Sequence, residues 1–112
     1  MKIYHNPRCS KSRQTLELLQ NAGHQPEVVE YLKTPPTASD LRDLLQMLNL
    51  QPEQLLRKGE QLYKDKYKGQ QLTNEEWITV MTENPVLIER PIVVKDNKAV
   101  LGRPPENVLS IL

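Results

Sequence analysis

Apolar positions along the chain fall into short runs and helical stripes that alternate with polar breaks. Ile3 to His5 reads as a short strand, and Asn6-Pro7 breaks it, because proline fixes φ and lacks an amide donor. A helix follows from about Ser10 to Ala22, with Thr15, Leu16, Leu18, Leu19 and Ala22 on its apolar side and Gly23 as its terminator. Glu27 to Leu32 supplies Val28, Val29, Tyr31 and Leu32 for a second strand. Strand, helix and strand in this order make a parallel βαβ unit.

Thr34-Pro35-Pro36 ends the unit. Thr37 and Asp40 have capping-box spacing, and Leu41, Leu44, Leu45 and Leu48 follow at amphipathic-helix spacing. Pro52 opens a short helix holding Leu55 and Leu56. Residues 60–71 are polar, with Tyr63 and Tyr67 as anchors. Thr73 and Glu76 form a full capping box with Leu72 and Trp77 at the staple positions, and that helix stops at Asn84-Pro85. Residues 37–84 therefore read as a helical insert. Ile92-Val93-Val94 and Ala99-Val100-Leu101 flank a polar turn at Asp96-Asn97, as in a β-hairpin. A last helix is expected from Pro104, with Val108, Leu109, Ile111 and Leu112 inward.

The order β-α-β, helices, β-β-α is that of an α/β thioredoxin-like fold: a mixed four-stranded sheet with a helical insert after the βαβ unit. The 112 residues suit one such domain, spanning 1–112.

Charge changes the picture little. Fifteen Lys and Arg nearly balance fourteen Asp and Glu, which speaks against a general nucleic-acid binder. No window approaches the ~20 apolar residues of a membrane span, and no signal-peptide run opens the chain. The expectation is a cytoplasmic protein without nucleic-acid or membrane partners. One cysteine and two histidines offer neither a disulfide framework nor a good metal site, so no metal is expected.

That cysteine, Cys9, falls where the first strand turns into the first helix. A lone cysteine is often an inert core residue. Here, however, unpaired helix-start amides and the helix dipole favour a thiolate, and Arg8, Lys11 and Arg13 add positive potential. His5 adds more when protonated, and Ser12 is placed to donate a hydrogen bond to the sulfur. Cys9-Ser10-Lys11-Ser12 can form one mixed disulfide but cannot resolve it, so a redox cycle needs an external thiol. The helix start is also a natural anion site. Arg57, Arg90 and Arg103 stand at segment ends, two of them before proline. If the hairpin pairs with the first strand, Arg90 and Arg103 share the rim with Cys9, and Arg57 must come from the insert. Guanidinium groups suit a tetrahedral oxyanion. His24 and Lys64, Lys66 and Lys68 read as surface, and Met47 and Met81 as core filler.

His5-Asn6-Pro7-Arg8-Cys9-Ser10-Lys11-Ser12-Arg13, with Glu89-Arg90-Pro91-Ile92-Val93-Val94 and Gly102-Arg103-Pro104-Pro105, strongly resembles the glutaredoxin-coupled arsenate reductases (ArsC family). Tyr31-Leu32 before Pro35-Pro36, Leu55-Leu56-Arg57-Lys58 and Asn84-Pro85 extend the likeness along the whole chain, and its short C-terminus is similar to the YfgD-like bacterial branch. The resemblance implies that Cys9 attacks arsenate, that Arg57, Arg90 and Arg103 hold the oxyanion, and that His5 and Ser12 tune the thiolate. Pro91 would be the cis-proline facing the cysteine. The resemblance further implies glutathione as the external thiol cosubstrate and glutaredoxin as the protein partner; no bound cofactor and a monomeric chain are expected. Two alternatives remain open: a glutathione-dependent thiol/disulfide reductase with little arsenate activity, and an Spx-like RNA polymerase-binding regulator. The missing second cysteine of C-x-x-C weighs against the latter.

Overall fold

The computed structural model describes residues 1–112. Strand β1 is Lys2–His5, helix α1 is Ser10–Asn21 and strand β2 is Glu27–Glu30. Helices α2 (Ala38–Leu48), α3 (Gln61–Lys66) and α4 (Asn74–Glu83) follow, then strands β3 (Ile92–Lys95) and β4 (Lys98–Leu101). The backbone forms two compact units: Met1–Thr34 with Arg90–Leu112, and Pro35–Glu89.

The first unit contains a four-stranded sheet in the order β2-β1-β3-β4. β1 runs parallel to β2 and antiparallel to β3, and β3 pairs antiparallel with β4. This is the mixed sheet of a thioredoxin-like fold. Ile3, Leu19, Val93 and Val108 are fully buried together, with Leu16, Leu18, Val100 and Ile111 packed around them. Gly23 ends α1 at φ +87°, a conformation that costs glycine no Cβ clash. Asp96 turns the hairpin at φ 57°.

Three expectations about this unit change. Ala22 is exposed, because α1 stops at Asn21 and buries Ser12, Thr15 and Leu19 instead. β2 ends at Glu30, where Lys33 N and Thr34 N both donate to the Glu30 carbonyl at 2.9 Å and turn the chain, leaving Leu32 43% exposed. The terminal segment is a 3₁₀ helix, Pro105–Ile111. Three residues per turn put Pro105, Val108 and Ile111 on one face, so Leu109 (56% exposed) and Leu112 point outward.

In the second unit both expected capping boxes form, at Thr37 with Asp40 and at Thr73 with Glu76. α2 buries Leu41, Leu44 and Leu45, while α4 buries Trp77, Ile78, Val80 and Met81. α3 arises in the stretch read as merely polar. It lacks an apolar period because it buries no residue fully; its contacts are aromatic, with the rings of Tyr63 and of Tyr67, its C-cap, 6.5 and 6.1 Å from that of Trp77. Arg42 and Glu75 form a bidentate exposed pair.

Leu19→Ala is expected to lower stability by about 2–5 kcal/mol through lost burial and the cavity left between helix and sheet. Urea unfolding with an unchanged m-value is the check.

Candidate active site

β1 delivers the chain to a turn that is fixed at nearly every backbone group. Asn6 O accepts from Cys9 N at 3.0 Å, and the Asn6 side-chain oxygen accepts from Arg8 N at 3.0 Å. The Arg13 guanidinium reaches back to Pro7 O at 2.8 Å. Cys9 then occupies the N-cap of α1 with extended backbone (φ −96°, ψ 122°). Its side chain caps nothing, and the first turn of α1 carries no acidic residue, so the helix-start amides face no competing carboxylate. The cysteine is free of any disulfide and 8% exposed.

Arg103 follows β4 and brings Nη1 to 3.8 Å from Cys9 Sγ, while the same nitrogen lies 3.4 Å from Arg90 O. Arg90 precedes β3, and its Nε and Nη1 are buried with no acceptor. The Arg90–Pro91 and Arg103–Pro104 peptides are both cis, the second without any expectation from the sequence. His5, Cys9, Ser12, Arg90, Pro91 and Arg103 thus all belong to the first unit. Arg57 belongs to the second. There its guanidinium is engaged by Glu60, and its Nε lies 3.4 Å from Glu89. Arg57 N bonds Leu87 O and Glu89 N bonds Leu55 O, both at 2.8 Å, which sets Arg57 and Glu89 side by side.

Ser12 does not meet the expectation of a bond to the sulfur. Its hydroxyl lies 2.6 Å from His5 Nδ1 and accepts from Asn6 N at 3.0 Å. Burial pushes the His5 imidazole below its usual 6.5; Glu30 opposes that shift and Arg13 adds to it. Neutral His5 with its proton on Nε2 accepts from Ser12, which satisfies both groups.

Two residues of the site were not singled out from the sequence. Thr15, taken as apolar, is fully buried, and its Oγ1 lies 2.8 Å from Lys11 O and 3.2 Å from Gly102 O. Gly102 donates to Pro91 O at 3.0 Å, and a Cβ there would stand 2.6 Å from Thr15 Oγ1 and 2.9 Å from Pro91 Cγ. Only glycine permits this approach, and it places the next residue, Arg103, at the sulfur. The signal available was Gly before Arg-Pro at the end of a strand. No group of three or more His, Cys, Asp and Glu side chains is gathered for a metal, and no helix is long and apolar enough to cross a membrane.

A single thiol at an uncapped helix start on this sheet, with a guanidinium at its sulfur, defines a single-cysteine thioredoxin-like protein. The sequence matches the ArsC family over residues 4–111, and the chain belongs to that family. It is 54% identical to the protein YfgD of Escherichia coli (strain K12), over all of this chain and 96% of the relative. It is 43% identical to an arsenate reductase of Neisseria meningitidis, over all of this chain and 97% of the relative. The solved arsenate reductase of Vibrio cholerae superposes with a TM-score of 0.96 at 50% identity, covering 99% of this chain and 96% of that one.

The direction of the His5 shift sets a pH dependence. An imidazole held neutral contributes stability above its unfolded value near 6.5, and that contribution is lost as pH falls toward the lower folded value. Between pH 7.5 and 5, the thermal midpoint of His5→Gln is expected to fall less than that of the wild type, as read by circular dichroism.

Proposed function

We propose that the chain reduces arsenate to arsenite through a Cys9 thiol–arsenate adduct, resolved by glutathione and glutaredoxin. The observation that carries this reading is the Arg103 guanidinium 3.8 Å from Cys9 Sγ at an uncapped helix start. The buried, unmatched N–H groups of Arg90 support it, since such donors lack only an acceptor. Family membership and the relatives named arsenate reductase support the choice of anion.

In the first step the Cys9 sulfur forms a bond to arsenic of dihydrogen arsenate, and one oxygen leaves as water. The condensation consumes the thiol proton and one arsenate proton. Arg90 and Arg103 hold the equatorial oxygens. In the second step the glutathione sulfur bonds to Cys9 Sγ, and the S–As pair leaves with arsenic. Arsenic(V) becomes arsenic(III), the two thiols become one mixed disulfide, and the glutathione proton goes to arsenite. Glutaredoxin then takes the glutathione by thiol exchange and frees Cys9.

His5 and Ser12 tune the thiolate. The Ser12 hydroxyl has one hydrogen, which neutral His5 occupies at Nδ1. When His5 is protonated, its Nδ1–H donates instead, and the Ser12 hydrogen is released to turn toward the sulfur. The imidazole thereby adds positive charge and a neighbouring donor together.

Arsenite production coupled to glutathione, glutaredoxin and reductase is the test. Cys9→Ser is expected to abolish it, and equal arsenite from both proteins would sink the proposal. Arg103→Ala and Arg90→Ala are each expected to raise KM for arsenate about 10-fold or more, in line with charge-assisted hydrogen bonds. Arg103→Lys is expected to recover only part of the loss, because a point charge cannot make the bidentate contact.

A further inference from the structure

β4 ends at Leu101 and the terminal 3₁₀ helix begins at Pro105, so Arg103 lies in the link Gly102-Arg103-Pro104, outside any strand or helix. Its side chain is exposed. Holding a long exposed side chain at one place costs rotamer freedom. The backbone of the link therefore has to aim the guanidinium that lies 3.8 Å from Cys9 Sγ.

One side of the link is held by the close approach of Gly102 to Thr15 and Pro91. The other side is held by Asn107. Its side-chain Nδ2 donates to Leu101 O at 3.3 Å and to Arg103 O at 3.1 Å, and its backbone N donates to Pro104 O at 3.0 Å. A primary amide carries two hydrogens, one for each of the two carbonyls. The end of β4, Arg103 itself and the residue after it are thus bonded to a single asparagine. Thr15 Oγ1 lies 3.2 Å from the carbonyl between them, Gly102 O. Every carbonyl from Leu101 to Pro104 then has a partner, as a fixed stretch of backbone requires.

Asn107 can hold the link because its own helix is anchored. Pro105 is buried, and Val108 is fully buried with Ile3, Leu19 and Val93. Ser110 Oγ donates to Asn107 O at 2.9 Å. Asn107 itself is exposed, so its side chain adds no packing to the core.

We propose that Asn107 is a positioning residue that fixes the link so that Arg103 Nη1 stays beside Cys9 Sγ. It acts on the sulfur only through Arg103. The inference rests on the reading of Cys9 as the reacting thiol and of Arg103 as its anion-binding partner, and it adds the residue that aims the second at the first.

Cys9 is the one cysteine of the chain, so alkylation reads this site alone. Its thiolate attacks iodoacetate, an anion, or iodoacetamide, which is neutral; in both, the S–C bond forms as the C–I bond breaks and iodide leaves. The thiolate fraction cancels in the ratio of the two rates, whereas a guanidinium at the sulfur favours the anionic reagent. Arg103→Gln is expected to lower the iodoacetate-to-iodoacetamide ratio at least about threefold, and Asn107→Ala at least about twofold. In the Arg103→Gln background, Asn107→Ala is expected to leave the ratio unchanged, since the two act as one unit. A ratio unmoved by either single substitution, or an equal fall from Asn107→Ala with and without Arg103, overturns the proposal. Circular dichroism checks that each variant is folded, and Asn107→Ser, which keeps one donor, is judged by the same criteria where the alanine variant is not. Alkylation needs no arsenate. The expected ratios from a wild type that makes no arsenite uphold the role of Asn107 and remove the arsenate reading instead.

Discussion

One hydroxyl oxygen joins the parts of this site. Ser12 Oγ is fully buried in the first turn of α1, yet it holds His5 at the end of β1 and the Asn6 amide in the turn between them. Strand end, turn and helix start are thereby tied at one atom. Removing it would orphan a buried imidazole nitrogen and an amide, at about 1–3 kcal/mol for each unsatisfied group. More consequentially, it would release the register between β1 and α1, and that register sets where the Cys9 sulfur lies.

The arginine side of the site is built by packing. Thr15 on α1, Gly102 after β4 and Pro91 before β3 meet so closely that no Cβ fits between them. The hairpin is thus locked to the helix that starts at the cysteine. Arg103 inherits its place from this contact, and its shared approach to Cys9 Sγ and Arg90 O follows. A substitution of the adjacent Gly102 would move the guanidinium while leaving its charge unchanged.

Much of this was legible in the chain itself. The order of elements along the chain, both capping boxes, the hairpin turn and the place of Cys9 follow from local rules that act within a few residues. The parts that were not legible depend on contacts distant in sequence. Thr15 looked like one more semi-apolar helix position until its hydroxyl met Gly102, 87 residues away. Ser12 seemed positioned for the sulfur because spacing along a helix says nothing about a histidine on the neighbouring strand. α3 was invisible because it buries no residue and touches Trp77 through tyrosine rings instead of a leucine stripe. The last segment misled because a 3.6-residue period was assumed where the chain winds at three.

The cysteine at the N-cap has a further consequence. Serine, threonine or aspartate at that position would close the helix start from within the chain. A thiol that caps nothing leaves those amides without a side-chain partner from the chain. In the proposed reaction the anion would take the place of that cap. Its binding would then stabilise the folded protein by mass action, by RT ln(1 + [L]/Kd), so the completeness of the helix start and the occupancy of the site would be one equilibrium.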